Sequence, residues 1–201
     1  EVGVGFLFAQ SLHASMRHAG PTRREIGIRT VFNILGPLTN PAGAKRQLIG
    51  VYDPNLVPVL AEVAGRLGAE RVLVVYGHPG MDEVSASGTT TVGEFDASVG
   101  TGVRMYEITP GQVGIARGTV ADTAGGDPAA NALLVRAVLE GEHGPRRDVV
   151  LMNASAALLA AGVVSDLAEG VVRARESIDS GNALEVLDRL VATTQRLGGA
   201  A

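Results

Sequence analysis

At 201 residues the chain is long enough to bury one sizeable core and fits a single domain better than two. Hydrophobic residues make up 46% and exclude disorder by composition, the absence of cysteine excludes disulfides, thiolate metal sites and a cysteine nucleophile, and this usage suits the cytoplasm. A net charge of −4 argues against a nonspecific nucleic-acid surface, and the longest apolar run, 149–164, is interrupted by Asn153 and Ser155 and is too short and polar for a membrane span.

The chain begins at Glu1, without methionine and inside a helical pattern, so a longer parent protein is expected. Phe6, Leu7, Phe8, Leu12 and Met16 recur at near-helical spacing and predict a helix ending near Gly20-Pro21, with His13, Met16 and Gly20 on one face. The stretch RREIGIRTVFNILGPLTNP follows, from Arg23 to Pro41. It combines an arginine pair, apolar residues and a rigid turn, and Gly36-Pro37 is expected to stop any helix there. By pattern alone this is either an amphipathic helix with surface arginines or the wall of a pocket.

Gln47 to Tyr52 reads as a buried strand, and Asp53-Pro54 as an N-cap with proline at the first helical position. That helix should reach Leu67 and stop at Gly68, before a second buried strand from Arg71 to Tyr76. Strand, helix and strand at this spacing predict a βαβ unit with a parallel sheet. Beyond Gly80 the runs VSASGTTTV, GEFD and VRMYEI suit short, partly exposed strands near a sheet edge. Residues 110–125 are loop-rich, after which Asp127-Pro128 opens a helix to about Leu139. Three further helices are expected, over roughly 147–161, 165–179 and 183–197, separated by Gly162 and Gly181.

Asp82 and Glu83 place two carboxylates just past the second strand, at the edge where open α/β sheets bind ligands. An adjacent Asp-Glu pair is apt for Mg²⁺, which takes a few carboxylates and completes its shell with water and phosphate oxygens; the bland alternative is a solvated acidic turn. Arg23 or Arg24 could pair bidentately with a carboxylate ligand. Gly125-Gly126-Asp127 looks like an anion loop but lacks the Lys-Ser/Thr of a P-loop, so it reads as a helix start. Asn153, in an apolar run, reads as a buried amide satisfying nearby backbone.

Four motifs stand in order along the chain: the Arg23–Pro41 stretch, Gly77-His78-Pro79-Gly80-Met81-Asp82-Glu83, Gly125-Gly126-Asp127 with Asn131-Ala132, and Met152-Asn153-Ala154. Together they resemble the anthranilate phosphoribosyltransferase family over the whole chain. The resemblance implies an α/β fold with a mostly parallel mixed sheet flanked by helices. This would be the larger domain of a nucleoside phosphorylase/phosphoribosyltransferase-like fold, lacking most of its N-terminal helical domain. It implies one domain over 1–201, with a helical substrate-pocket segment at 1–45, a sheet core with the metal turn at 46–109 and a mainly helical part at 110–201.

By the same resemblance Arg23, His13, Met16 and Gly36 bind anthranilate, and Asp82 and Glu83 hold Mg²⁺ on phosphoribosyl pyrophosphate. The double-glycine segment would be a helix start packed beside the sheet. Homodimers, a cytoplasmic location and no nucleic-acid or membrane partner are also implied, and no catalytic acid or base is assigned. The family's glycine-rich pyrophosphate loop and its Lys-His-Gly-Asn segment do not occur in these residues, so the chain alone is expected to be inactive. Tyr76 departs from the family, many members of which have histidine there. A pyrimidine nucleoside phosphorylase and a noncatalytic nucleic-acid-binding relative are the rival readings.

Overall fold

The computed structural model describes residues 1–7, 25 and 32–198. It divides into two compact units, Glu1–Ala44 and Lys45–Ala201. In the first, helix α1 spans Phe32–Leu38 and carries Pro37 inside it. The expected stop at Gly36-Pro37 is therefore displaced. Gly36 does not adopt the left-handed conformation, and Thr39 closes the last turn through its backbone N–H and its hydroxyl, both donating to the Leu35 carbonyl at 3.0 and 2.9 Å. Proline removes one donor, but near a helix end few further bonds remain to be lost.

The second unit is a four-stranded mixed sheet with helices on both faces. Strands β1 (Arg46–Gly50), β2 (Arg71–Gly77), β3 (Thr90–Asp96) and β4 (Val103–Ile108) lie in sequence order. β1 and β2 are parallel, joined through helix α2 (Leu56–Arg66) as the βαβ pattern predicts. The β2–β3 and β3–β4 pairs are antiparallel, so among the described strands parallel pairing is the minority.

Both faces of β2 are covered, which is why RVLVVY is a nearly continuous apolar run. Leu73 and Val75 join the large core built with Leu151, Met152, Ala156 and Ala160. Val72 and Val74 are equally buried and lie outside that cluster, since alternate residues of a strand point to opposite faces. α2 covers this second face. A Cβ on Gly65 of α2 would sit 2.5 Å from the Phe95 ring, and one on Gly93 of β3 would sit 2.8 Å from Val57, so two glycines let helix and sheet approach closely.

α2 starts later than its sequence signal. Asp53 accepts from the Asn55 N–H at 2.9 Å, turning the chain before the helix rather than capping it, and Asn55 occupies the N-cap. Its end matches expectation. Gly68 is left-handed with φ +85°, and the Gly68 and Ala69 amides return to the Gly65 and Ala64 carbonyls at 3.0 and 3.1 Å, forming a Schellman motif.

β3 differs most from its reading. It lies between β2 and β4 and most of it is buried; the VSASG segment before it is loop, and of the three runs it is VRMYEI, as β4, that lies at a sheet edge. The polar residues that make β3 look peripheral have distant partners. Glu94, 4% exposed, accepts from Arg71 Nε and Nη2 at 2.9 and 2.6 Å and from Arg104 Nη2 at 2.5 Å.

Helices α3 (Pro128–Leu139), α4 (Pro145–Ala161), α5 (Leu167–Asp179) and α6 (Asn182–Gly198) complete the unit. Asp127 caps α3 by accepting from the Ala130 N–H at 2.8 Å, and Asn131 bonds the Gly126 N–H and carbonyl at 2.8 and 3.0 Å. The double-glycine segment is thus a helix start; α3 packs against α5 and α6, and its Val138 joins the same core cluster as Leu73 and Val75 of β2. α4 packs on β1 and β2. It meets α5 so closely that a Cβ on Gly170 would lie 2.6 Å from Ser155 Oγ.

Candidate metal-binding turn

Parallel strands β1 and β2 end at Gly50 and Gly77, and the chain between Gly77 and Thr90 folds over those ends. Gly77 and Met81 exchange two backbone hydrogen bonds, at 2.8 and 2.7 Å, which close a tight turn. Asp82 and Glu83 follow, the first exposed and the second half-buried.

Two glycines make the turn's position possible. A Cβ at Gly50 would lie 1.6 Å from the Asp82 carbonyl oxygen, and one at Gly77 would lie 2.5 Å from that of Glu83. The backbone bearing both carboxylates therefore rests directly on the strand ends, and any larger residue would displace it. Gly88 serves the far arm of the loop, where a Cβ would meet the His78 carbonyl oxygen at 2.4 Å.

The backbone beyond Glu83 is held by side chains. The Val84 N–H donates to Asn153 Oδ1 at 2.8 Å, and Asn153 Nδ2 donates to the Val84 and Val149 carbonyls, both at 2.9 Å. Ser85 N–H donates to the buried Thr90 hydroxyl at 2.9 Å, and Arg117 Nε to the Ser87 carbonyl at 2.8 Å. The His78 ring is held within the fold: it bonds Thr91 Oγ1 at 3.1 Å and meets Tyr76 edge-on with centroids 4.8 Å apart. Tyr76 therefore has a packing contact in place of whatever a histidine would do there.

Asp82 and Glu83 differ from the buried, arginine-bound Glu94 of β3. Among the described residues no lysine, arginine or histidine forms an ion pair with Asp82 or Glu83. Burial, and then the neighbouring Asp82 charge, push the Glu83 carboxyl above its ordinary value. A held pair of like charges, one of them half-buried and neither with a cationic partner among the described residues, favours a cation. No cluster of three or more His, Cys, Asp or Glu side chains occurs among the described residues, which argues against an all-protein cage for zinc or calcium. It fits Mg²⁺, which is held by one or two carboxylates and otherwise by water and phosphate oxygens.

Of the other residues assigned by sequence, Gly36 lies in α1 with open space where a Cβ would project, so its backbone can be approached. Arg23, His13 and Met16 lie outside the described residues. The residues that sequence reasoning missed are Gly50, Gly88, Ser85, Thr90 and Arg117. Only the glycine and serine content of VSASG hinted that this loop is tightly folded.

A mixed sheet, helices on both faces and an acidic turn over the carboxyl ends of parallel strands define an α/β domain with a candidate ligand edge. Residues 1–184 match the family described as "Glycosyl transferase family, a/b domain", and the chain belongs to that family. It is 52% identical over 194 residues to the anthranilate phosphoribosyltransferase of Citrifermentans bemidjiense, a match covering 96% of this chain and 54% of that protein. To the enzyme of the same name from Desulfotalea psychrophila it is 57% identical over 193 residues, covering 96% and 55%.

Among solved structures it is similar to anthranilate phosphoribosyltransferase from Thermus thermophilus, with TM-score 0.86, 47% identity and coverage of 95% and 56%. It is also similar to the Saccharomyces cerevisiae enzyme in complex with PRPP and Mg, with TM-score 0.82, 33% identity and coverage of 92% and 52%. The chain thus spans about half the length of the curated relatives it matches.

Proposed function

We propose that this chain is the α/β part of an anthranilate phosphoribosyltransferase, which moves the 5-phosphoribosyl group from phosphoribosyl pyrophosphate to the amine of anthranilate and releases pyrophosphate. The observation that carries this is the Asp82–Glu83 turn, without a cationic partner among the described residues and seated on Gly50 and Gly77 at the ends of the parallel strands, in a chain about half identical to enzymes of that name. In the reaction the nitrogen lone pair forms the bond to the anomeric carbon. The bond from that carbon to the pyrophosphate oxygen breaks with its electron pair, through an oxocarbenium-like transition state. The amine loses one proton, for which no base is assigned.

Asp82 and Glu83 would hold Mg²⁺, whose chemistry is to neutralise charge on the pyrophosphate. Fixed on the strand ends, the pair contributes a preset position rather than a proton, and such preorganisation lowers the cost of stabilising developing charge. In the segment 1–45 Arg23 would clamp the anthranilate carboxylate, with His13, Met16 and the Gly36 backbone lining that site. The intact protein would be a cytoplasmic homodimer with no nucleic-acid partner, in keeping with the net charge of −4.

The test is the formation of phosphoribosyl anthranilate by the intact protein, followed by loss of anthranilate fluorescence. Turnover requiring both substrates and Mg²⁺ is expected; turnover of a nucleoside with phosphate instead would replace this reading. In the same assay Arg23→Ala should raise the KM for anthranilate about ten- to a hundredfold, the worth of one charge-assisted carboxylate contact. The KM for phosphoribosyl pyrophosphate should stay within about twofold, since less than about 0.5 kcal/mol separates constants that close.

A further inference from the structure

The Asp82–Glu83 pair is under internal stress. Two adjacent anions repel, Glu83 is partly withdrawn from water, and no cation among the described residues pairs with either. Left to itself such a turn would swing outward, separating and hydrating the two groups. The backbone directly after Glu83 prevents this. Val84 is 1% exposed, and both of its backbone polar groups are taken up by one side chain from a residue far along the chain.

We propose that Asn153 is a positioning residue for the Asp82–Glu83 carboxylates, its amide clamping the Val84 peptide groups so that the turn stays closed over the strand ends and accepts a divalent cation. The inference rests on the metal-binding reading of that turn. A primary amide presents an acceptor and a donor side by side in one plane, which matches the N–H and carbonyl of one extended residue. It acts as a one-residue strand partner. Aspartate lacks the donor, serine lacks the reach, and glutamine carries the same groups one methylene too far.

The anchor is rigid. Asn153 also donates to Val149 in its own helix, and its neighbours Leu151 and Met152 are 2% and 3% exposed in the main core. Gly50 and Gly77 bring the turn down onto the sheet from one side, and Asn153 ties it from the other. Removing the amide would leave a buried N–H and a buried carbonyl without partners, a cost the turn can escape only by opening to water.

The experiment compares Mn²⁺ binding, by electron paramagnetic resonance, in the intact protein and its Asn153→Ala, Asn153→Gln, Ser155→Ala and Asp82→Asn/Glu83→Gln variants. Losing a partner that orients a metal ligand typically weakens affinity about ten- to a hundredfold. Asn153→Ala is expected to fall in that range, and Asn153→Gln at its lower end. Ser155→Ala, which loosens the same helix away from the turn, should bind as the parent does. If Asn153→Ala does not fold, Asn153→Gln decides. Parent-like Mn²⁺ affinity in the folded Asn153 variants, or an equal loss in Ser155→Ala, overturns the positioning role. Unchanged binding in the double carboxylate variant would instead overturn the metal site itself.

Discussion

The two ends of strand β2 carry acids in opposite conditions. At its start Glu94 is buried between Arg71 and Arg104, with Asp96 3.5 Å from Arg71 and the Arg104 guanidinium 4.6 Å from the Tyr106 ring centre. At its end Asp82 and Glu83 have no cationic partner among the described residues. The effect on protonation is opposite. Burial pushes Glu94 up, but hydrogen bonds and charge from Arg104 and Arg71 outweigh it and hold the carboxyl below its ordinary value, whereas burial and Asp82 together raise Glu83. A satisfied acid stabilises its own fold. An unsatisfied pair held in place stores a preference for something outside the chain.

Glu94→Ala should produce the largest loss of stability. It leaves Arg71, which is 19% exposed, with the longer 3.5 Å Asp96 contact in place of two short hydrogen bonds, and removes the tie between β2 and β4. About 3 kcal/mol is expected, at the lower end for breaking a buried pair because Arg104 can turn to water. Thermal unfolding measures the loss. The Mg²⁺ concentration for half-maximal activity should not move, and a shift would show that the two ends are not independent.

Gly50→Ala tests the other end. Its Cβ has to displace the Asp82 carbonyl, at a cost of about 1–3 kcal/mol for overpacking. Here the metal midpoint should rise along with the fall in melting temperature. A variant that loses stability but keeps its metal midpoint would mean that the turn's seat on β1 does not aim the carboxylates.

The smallest effect is on pH dependence. Glu94 binds its proton less readily in the folded chain than in the unfolded one. Its contribution is therefore complete above the ordinary glutamate value and is lost as pH falls through the depressed folded value. Glu94→Gln should flatten acid destabilisation as the pH falls below the ordinary glutamate value, and leave the profile above it unchanged in slope. Parallel stability profiles for the parent and the variant would remove Glu94 from the account of acid sensitivity.

Much of this arrangement was legible in the sequence where the signal is local. Asp127-Pro128 marked the start of α3 because capping is settled within four residues, and Gly162 and Gly181 marked the breaks around α5 because both are left-handed, with φ +74° and +80°. Asp82 and Glu83 stood out as adjacent acids after an apolar strand. What was not legible depends on residues far apart in the chain. Glu94 made β3 look peripheral because Arg71 and Arg104 cannot be seen beside it in one dimension. Asn153 was recognisable as an amide satisfying backbone, though it is half-buried rather than buried, but not the Val84 peptide that it holds, and Gly50 gave no hint that Asp82 would rest on it. Gly36-Pro37 misled because a helix end is set by which carbonyls find donors, and Thr39 supplied two.

The central claim is that the Asp82 and Glu83 carboxylates beyond the end of β2 are a metal site and not a solvated turn. The most direct measurement is a Mg²⁺ titration of phosphoribosyl transfer by the intact protein and its Asp82→Asn/Glu83→Gln variant, alongside their thermal unfolding. The account predicts that the variant melts no lower than the parent, because a repulsive pair has been removed, while its Mg²⁺ midpoint rises about tenfold or more with the loss of two hard anionic donors. A variant with the parent's Mg²⁺ midpoint and undiminished turnover would contradict it.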